Sequence, residues 1–491
     1  MAEYFVFEIA ESLLGKLASN LYEQVSRAFD LYDDVQSFRD TLSIIKDVLL
    51  DAEEKKEKKH GLREWLRQIR NVCLDAEDVL DGFECQNLRK QVLKASGTTR
   101  MKDFEDFGTV YYFKLHDLVH DLSLYVAKEE FLMVNSHTRS IPEQVRDISV
   151  VENDSLRHTV FPKSRGVRTI IFPVDGVGVG SESLLETWIK RYKYLRHLNL
   201  SNSSFATLPN SIAKLEHLRA LILDKNFKIK RLPNSICRLQ NLQKLSLRRC
   251  LGLETLPKRL GMLISLRKLY ITTKQSILSE DEFASLNHLH TLVFEYCDNL
   301  MFLFRGAQAQ LPSLEVLIIQ SCGKLECLPF HILPKLEVLI VTRCLMLILS
   351  LNSEIPIQRL KMKYLHIEQC PQQLALPEWI KAASNTLRTL SILNCHCLEM
   401  LPEWLSTMTR LKMLHIVNCP KLFHLPCDLH CLRALEDLII DGCPELGRKC
   451  EPHSGEHWPF IAHIKCVSIG ETRKRKLLFQ MLSRLGLNCT Q

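Results

Sequence analysis

No apolar run in the 491-residue sequence approaches about 18 residues, the length that a membrane-spanning helix requires. The amino terminus places Glu3, Glu8 and Glu11 within its apolar stretch, whereas a secretory signal has a basic start and an uninterrupted apolar centre. The sequence also has no G-x-x-x-x-G-K loop followed by Ser or Thr, which would hold nucleotide phosphates. These absences argue against a membrane span, a secretory signal and nucleotide hydrolysis.

Charge is distributed unevenly along the chain, although the net charge is only +7. Residues 1–95 carry 14 Lys or Arg and 19 Asp or Glu, whereas the remaining residues carry 50 and 38. An acidic head therefore precedes a basic body, which predicts separate modules with electrostatic contact between them. No base-stacking platform or groove-reading module accompanies the basic charge, so nucleic acid is not an expected partner.

The head, residues 1–95, contains three helical patterns in which apolar residues recur at steps of three and four. Each apolar stripe must pack against another, so a small helical bundle is the expected fold. The stripes consist of Val6, Ile9, Leu13 and Leu17; of Phe38, Leu42, Ile45 and Leu49; and of Trp65, Ile69, Val72, Ala76, Val79 and Phe83.

The third helical pattern also carries a group of acidic residues, Asp75, Glu77, Asp78 and Asp81. Their spacing does not follow a calcium-loop pattern. Two interpretations stay open. The group is either an acidic strip that docks onto Arg or Lys of a partner surface, or a solvated helix surface.

A second candidate site is the segment YYFKLHDLVHDLSLYVA, which runs from Tyr111 to Ala127. His116 and His120 stand four residues apart, a spacing at which two imidazoles on one helix can share a zinc ion. Asp117 replaces the general-base glutamate of the H-E-x-x-H motif, and the sequence specifies no third ligand. A metallohydrolase is therefore a weak hypothesis. A His116–Asp117 dyad is weaker still, because adjacent helical residues point about 100° apart.

One phrase of the form L-x-x-L-x-L-x-x-C recurs through the body, and its copies begin 22 to 26 residues apart between Leu195 and Leu435. The period, phrase and copy number predict leucine-rich repeats, in which short parallel strands stack their inward leucines into a curved solenoid. The copies begin at Leu195, Leu218, Leu242, Leu266, Leu289, Leu314, Leu336, Met362, Leu387, Leu411 and Leu435, with degenerate copies at Val145, Val167 and Ile464.

The sequence has 18 cysteines, and many of them occupy the last place of the repeat phrase, where the chain leaves the strand. Free cysteine prefers protein interiors, so we expect reduced, buried thiols in an intracellular protein rather than a ladder of metal ligands. Several repeats also contain LPNSI or a relative, in which proline stops the strand and sets a tight turn on the convex side.

Side chains between the inward leucines are expected to form the concave face, the usual recognition surface of a repeat array. Lys244, Arg248, Arg249 and Lys268 form a basic patch on adjacent repeats. We expect this basic patch to dock onto an acidic surface, either of a partner or of the head's own Asp75–Asp81 strip.

Further concave positions are expected beside the basic patch. Val316, Ile318, Val338 and Ile340 would make an exposed apolar patch suited to a protein partner. The remaining concave residues expected to be exposed are Tyr270, Glu295, Tyr296, Arg343, His366, Glu368 and His415.

Three features resemble plant intracellular immune receptors of the coiled-coil, nucleotide-binding, leucine-rich-repeat class, in particular the RGA-type resistance proteins. Glu77–Asp81 is similar to the acidic EDVID motif in the head of that family. Leu115–Asp117 is similar to the Met-His-Asp motif that ends the winged-helix part of the nucleotide-binding module. The LPNSI repeats are typical of the same receptors.

The resemblance implies three parts: a coiled-coil signalling domain similar to a four-helix bundle at 1–95, a linker and winged-helix remnant at 96–138, and a leucine-rich-repeat horseshoe at 139–491. Most of the NB-ARC nucleotide-binding module is missing, since such a module needs roughly 300 residues. In the family the histidine of the motif senses bound ADP. His116 and Asp117 are therefore expected to be a non-functional remnant, and no ADP or ATP cofactor is expected here.

The resemblance also implies a role in plant defence, with recognition through the repeats and signalling or docking through the head. Expected partners are a pathogen effector or guarded host protein, the chain's own head, and full-length receptors. Two alternatives stay open: a complete ADP/ATP-binding switch, which the absent phosphate loop opposes, and an adaptor or decoy without signalling activity. We expect a non-enzymatic, cytoplasmic protein. Arg473–Lys476 suits either a solvated tail or a nuclear-import signal.

Overall fold

The computed structural model of the chain has two compact units, Met1–Gly108 and Thr109–Gln491. The structure describes residues 10–11, 14, 39–43, 46, 48–49, 69, 130–135, 137–138, 141–142, 144–152, 166–172, 182–278, 283, 285–303, 311–328, 333–347, 360–371 and 374–470. The predicted sites at Asp75, Glu77, Asp78, Asp81, His116 and Asp117, and the basic segment at Arg473–Lys476, lie outside the described residues and stay predictions.

In the first unit every described position is helical. Ala10, Leu42 and Leu49 are buried. The seven-residue step from Leu42 to Leu49 is close to two helical turns, so both residues lie on one face, as the second apolar stripe predicts. Nζ of Lys46 donates a hydrogen bond to Oε1 of Glu11 at 2.8 Å. This contact joins the first two helical patterns of the head.

The second unit is built on one parallel sheet, in which the described residues form fifteen strands in chain order. Each repeat adds one strand beside the strand of the preceding repeat. This arrangement is the predicted leucine-rich-repeat solenoid. The strands are β1 Phe131–Val134, β2 Asp147–Val150, β3 Thr169–Ile171, β4 His197–Asn199, β5 Ala220–Ile222, β6 Lys244–Ser246, β7 Lys268–Ile271, β8 Thr291–Glu295, β9 Val316–Gln320, β10 Val338–Thr342, β11 Tyr364–Glu368, β12 Thr389–Leu393, β13 Met413–Val417, β14 Asp437–Asp441 and β15 Cys466–Ile469.

The sheet begins earlier than the sequence predicts. Strand β1 pairs in register with β2 from Phe131↔Asp147 to Val134↔Val150. These residues lie within the range 96–138 that was expected to be the winged-helix remnant. The strand segment FLMV lacks the L-x-x-L-x-L phrase, so its membership of the sheet is decided by pairing with β2 rather than by its own pattern.

A helix that the repeat pattern does not predict, α1 at Glu182–Arg191, lies between β3 and β4. Leu184, Leu185, Trp188 and Ile189 are its buried residues, and their spacing is that of one helix face. The rings of Trp188 and Phe172 stack with their centroids 6.4 Å apart. The helix therefore covers the core in an interval longer than an ordinary repeat.

Short 3₁₀ helices lie in the return segments that connect consecutive strands of the sheet. Proline precedes four of them with φ between −66° and −71°, values that its ring imposes. The 3₁₀ helices are Asn210–Lys214, Asn234–Arg238, Leu260–Met262, Glu378–Ala383, Glu403–Thr407 and Leu429–Cys431, and two short α-helices, α2 Pro444–Lys449 and α3 Trp458–Ile461, precede β15. No helix in the part of the chain that the structure describes is long and apolar enough to cross a membrane.

One hydrophobic core extends along the solenoid from Val134 to Ile464. Leu245, Leu269 and Leu292 occupy the same place on neighbouring strands, and each is fully buried. Burial of one leucine side chain stabilises the fold by about 1.5–3 kcal/mol, and every repeat adds several such residues. The core therefore depends on stacking of neighbouring repeats, as the period predicts.

The strand exits share a left-handed residue immediately before the repeat cysteine. An L-residue in this conformation costs about 1–2 kcal/mol, which is why glycine or asparagine is the ordinary choice. The residues and their φ values are Arg249 (56°), Tyr296 (54°), Ser321 (53°), Arg343 (55°), Gln369 (52°), Asn394 (53°), Asn418 (54°) and Gly442 (64°).

Candidate partner-binding site

The basic patch of Lys244, Arg248, Arg249 and Lys268 lies on β6, on β7 and on the turn that follows β6. Lys244 and Lys268 are register partners, so their Cα atoms lie side by side on adjacent strands. Cζ of Arg248 lies 4.6 Å from the ring centroid of Tyr270, and Nζ of Lys244 lies 5.6 Å from it. Both distances are those of cation–π contacts. The turn thus brings Arg248 back over the strand residue Tyr270.

A buried carboxylate, Glu295, lies between the two arginines of the basic patch. Nε of Arg248 is 3.7 Å from Oε2 of Glu295, and Nε of Arg249 is 3.8 Å from Oε1. Cζ of Arg249 also lies 5.7 Å from the ring centroid of Tyr296. Burial raises the pKa of Glu295, whereas the charges of both arginines lower it. Glu295 therefore orients two guanidinium groups from its buried position.

A second carboxylate, Asp224, joins the preceding repeat to the basic patch. Oδ1 of Asp224 accepts hydrogen bonds from the Ser246 hydroxyl at 2.5 Å and from the Arg248 backbone N–H at 3.1 Å. Burial raises the pKa of Asp224, and the Ser246 bond and the Arg248 charge oppose this effect. Burial likewise lowers the pKa of Lys244, which Asp224 opposes. The basic patch is therefore a connected group of charges rather than a set of separately solvated side chains.

Two of the predicted site residues are not exposed. Tyr270 is only 4% exposed, since Arg248 and Lys244 lie over its ring, and His366 is fully buried. His366 stands between Ile340 and Ser391 in the register of β10, β11 and β12, where strand spacing of about 4.8 Å brings same-row side chains into contact. The expectation of exposure is wrong for both residues.

The other predicted concave positions divide into buried and half-buried groups. Glu295, Glu368 and His415 are buried, contrary to expectation. Tyr296 and Arg343 are half-buried, as are the four residues of the basic patch. Their roles in partner binding stay predictions.

The predicted apolar patch is also buried. Exposure is 8% for Val316, 3% for Ile318, 2% for Val338 and 0% for Ile340. Val316 pairs with Val338 and Ile318 with Ile340 in the register of β9 and β10, so these side chains lie beside one another along the row. The prediction of an exposed apolar surface here is wrong, and the four residues contribute packing instead.

Arg343 lies apart from the basic patch. It occupies the left-handed turn after β10, and its Nε donates a hydrogen bond to Oε1 of Gln369 in the next repeat at 3.0 Å. Arg249 occupies the equivalent turn after β6, four strands away. The structure therefore does not bring Arg343 into one site with Arg248 and Arg249.

Strands β11 to β14 carry a polar group that the sequence analysis did not assemble. Nε2 of His366 lies 3.6 Å from Oε2 of Glu368, and Oγ of Ser391 lies 3.4 Å from Nδ1 of His415. Burial lowers the pKa of His415 to about 4, although the charge of Asp437 opposes this shift. The sequence could have predicted this group from the repeat register, because His366, Ser391 and His415 hold the same place in consecutive repeats.

A chain of hydrogen bonds links the strand exits of the same repeats. Nδ2 of Asn394 donates to Oε1 of Glu368 at 3.1 Å, and Nδ2 of Asn418 donates to Oδ1 of Asn394 at 2.8 Å. Gly442 follows at the equivalent place in the next repeat. Asparagine therefore serves both the left-handed turn and the contact between repeats.

The repeat cysteines are buried, as predicted. Sγ of Cys250 donates a hydrogen bond to the Leu223 carbonyl at 3.0 Å, and burial raises the pKa values of Cys250 and Cys344 to about 12. Burial therefore favours the protonated form of these thiols. In the described ranges of the chain, no three His, Cys, Asp or Glu side chains are grouped to hold a metal ion.

Sequence comparison relates the chain to named resistance proteins. It is 33% identical over 119 residues to the disease resistance protein RGA1 of Solanum bulbocastanum, and 32% identical over 76 residues to Pik-2 of Oryza sativa subsp. japonica. Residues 9–111 match the family described as Rx N-terminal domain, and residues 180–419 match the leucine-rich repeat region family. The chain thus combines an Rx-type N-terminal domain with a leucine-rich-repeat region, as its matches to proteins named for disease resistance also indicate. This pair of domains confirms the resemblance to the coiled-coil, nucleotide-binding, leucine-rich-repeat class.

The matches to these resistance proteins are short. The RGA1 match covers 24% of this chain and 10% of RGA1, and the Pik-2 match covers 15% and 7%. The chain thus matches a tenth or less of each relative's length. The two matched families leave residues 112–179 between them, far fewer than the roughly 300 residues of a nucleotide-binding module.

Two solved structures match part of the chain at low identity. The leucine-rich repeat domain of the type III effector XopL is 21% identical, with 49% of this chain and 75% of that chain covered and a TM-score of 0.37. An internalin, inlF, from Listeria monocytogenes is 14% identical, with 62% and 82% covered and a TM-score of 0.40.

Proposed function

We propose that this resistance-type protein recognises a protein partner in plant defence, through the basic patch on its repeat sheet. The partner is a pathogen effector or a guarded host protein with an acidic surface, and the head signals or docks once recognition has occurred. The observation that carries the proposal is the joining of Lys244, Arg248, Arg249 and Lys268, from neighbouring repeats, into one patch. The Asp75–Asp81 strip and full-length receptors are further candidate partners.

The construction of the basic patch supports recognition. Arginine and tyrosine are enriched among the residues that dominate protein interfaces, and this patch stacks Arg248 on Tyr270 and Arg249 on Tyr296. Side chains held in place before binding lose less conformational entropy when a partner arrives. Adjacent positive charges also favour an acidic partner and accelerate its association.

The proposal includes neither catalysis nor a bound nucleotide, and it places the protein in the cytoplasm. The sequence lacks the phosphate loop that would hold ADP or ATP. Titration of the purified chain with ADP and Mg²⁺ tests this part of the proposal. Tight, magnesium-dependent binding would favour the complete nucleotide switch instead.

Charge reversal tests the role of the basic patch. Proximity labelling with the full chain in pathogen-challenged plant tissue would supply candidate partners, whose Kd would then be measured by calorimetry with purified proteins. We expect Arg248→Glu/Lys268→Glu to weaken binding of the true partner by at least about tenfold, because it replaces attraction by repulsion at the patch.

The control for this experiment changes the same number of charges elsewhere. Lys228→Glu/Lys258→Glu alters two exposed lysines outside the basic patch and should leave the Kd within about twofold of wild type. Equal weakening by both double variants would show only a dependence on net charge. An unchanged Kd in Arg248→Glu/Lys268→Glu would remove the basic patch from the proposed function.

A further inference from the structure

Arg248 and Arg249 are consecutive residues whose side chains approach the same carboxylate. Consecutive side chains along an extended strand point to opposite faces. The φ of 56° at Arg249 turns the chain, and both Nε atoms then lie within 3.8 Å of a Glu295 oxygen. The equivalent turn holds Tyr296, Ser321, Arg343 or Gln369 in four later repeats and Asn394, Asn418 or Gly442 in the last three.

Two buried polar atoms in this arrangement face each other as an ion pair without a hydrogen bond. Nε of Arg248 and Oε2 of Glu295 are buried, and neither has a hydrogen-bond partner among the described residues. The separations of 3.7 and 3.8 Å are too long for hydrogen bonds. In the part of the chain that the structure describes, neither guanidinium group donates a hydrogen bond, although each lies over a tyrosine ring. Arg248 and Arg249 are half-buried, so the remaining N–H groups of their guanidinium groups can donate to a ligand.

The chemistry of the site favours a doubly charged ligand. Lys244, Lys268 and the two arginines give four positive charges, against the two carboxylates of Asp224 and Glu295. A phosphate monoester carries about −1.5 to −2 charges at pH 7 and three acceptor oxygens. A carboxylate carries one charge and two oxygens, which one guanidinium fork can satisfy alone.

We propose that the Arg248–Arg249 pair binds a phosphate monoester on the partner protein. This inference rests on the proposed recognition by the basic patch and names the group that the patch selects. Two guanidinium forks, held by Glu295 and stacked on Tyr270 and Tyr296, share the phosphate oxygens. Phosphorylation of the partner thereby strengthens its binding to the repeats.

Short peptides with a single charged residue test the site without knowledge of the partner. Three probes are titrated with the full chain: acetyl-Ala-Ala-phosphoserine-Ala-Ala-amide, the same peptide with glutamate in place of phosphoserine, and inorganic phosphate. Binding of the phosphopeptide is followed by ³¹P NMR. We expect the phosphopeptide to bind at least about tenfold more tightly than the glutamate peptide, since only phosphate engages both forks. The phosphopeptide should also bind no more weakly than inorganic phosphate, which separates a phosphorylated chain from the free ion as ligand.

Lysine substitutions separate fork geometry from charge. Arg248→Lys/Arg249→Lys keeps both positive charges but removes both planar forks, so it should reduce the phosphopeptide's advantage to about twofold. Arg231→Lys, an exposed arginine outside the patch, should preserve the advantage in full. Circular dichroism would confirm that each variant is folded. If the double variant is unfolded, the comparison of the two peptides on wild type still decides the proposal.

Three outcomes overturn the inference: equal affinity for the phosphoserine and glutamate peptides, no phosphopeptide binding at about 10 mM, or a phosphate advantage that survives Arg248→Lys/Arg249→Lys. Any of these leaves the proposed function standing if Arg248→Glu/Lys268→Glu still weakens the partner. Loss of that effect as well would reject both proposals.

Discussion

Individual polar residues on the sheet face are buried, a state that polar side chains rarely adopt. His415 is 3% exposed, its Nδ1 lies 3.4 Å from Oγ of Ser391, and its Nε2 has no hydrogen-bond partner among the described residues. A charged imidazole is more costly to bury than a neutral one. This cost lowers the pKa of His415 to about 4, and His366 acts in the same direction while Asp437 opposes it.

The stability of the repeat unit should therefore fall as the pH is lowered from about 6.5 towards 4. The pKa of His415 in the folded chain, about 4, lies below its ordinary value, so the unfolded chain binds more protons in this window. His415→Gln should remove up to about 3 kcal/mol of the pH-dependent loss, measured by urea unfolding at pH 7 and pH 4.5.

The control for His415→Gln is the same substitution at an exposed histidine, His217. His217→Gln should retain the full pH dependence of the wild-type chain. A pH dependence in His415→Gln equal to that of wild type would show that burial of this ring does not govern acid stability.

Among the elements, the strand exit combines a left-handed backbone with contact between repeats. Gly442 has a φ of +64°, and a Cβ at this position would lie 2.2 Å from Oδ1 of Asn418. Asn418 donates to Asn394, which in turn donates to Glu368. One glycine therefore leaves room for a side-chain hydrogen-bond chain that crosses three repeats.

Gly442→Ala should destabilise the repeat unit by about 2–3 kcal/mol. The left-handed backbone costs about 1–2 kcal/mol for alanine, and displacement of Asn418 loses a hydrogen bond of about 1 kcal/mol. Urea denaturation at neutral pH would measure the change. Gly323→Ala is the matched control, because a Cβ at Gly323 meets nothing within 4 Å. It should change stability by less than about 1 kcal/mol, and equal losses in both variants would refute the role of Asn418.

The sequence predicts elements well where one local phrase determines them. The strands from β4 to β14 follow the leucine phrase, whereas β1 lacks the phrase and belongs to the sheet only through pairing with β2. The basic patch is predictable because Lys244 and Lys268 hold the same place in adjacent repeats. Burial of Tyr270, His366 and Ile340 is not predictable in this way, since it depends on contacts between rows of side chains from different repeats.

Over the whole repeat unit, stability is a sum of similar terms, each from one repeat and its contact with the next. The core residues Leu365, Leu390 and Leu414 are register partners across β11, β12 and β13. Removal of one complete repeat would bring Leu365 beside Leu414 without change of register. The basic patch on β6 and β7 would keep all of its own neighbours.

Deletion of Leu387–Arg410, one full period, should therefore leave a folded and cooperative solenoid with a lower denaturant midpoint. Asn418 would then lie beside Glu368 and could replace Asn394 as the donor to the Glu368 carboxylate. Deletion of only Leu387–Leu398 removes β12 but leaves its return segment without a strand, so it should prevent cooperative folding. Circular dichroism and urea unfolding would compare the stability of the two deletion variants.

The full-period deletion should also bind the phosphoserine peptide within about twofold of wild type, because repeats contact only their neighbours. Loss of that binding, or equal disruption by both deletions, would contradict nearest-neighbour stability in this solenoid.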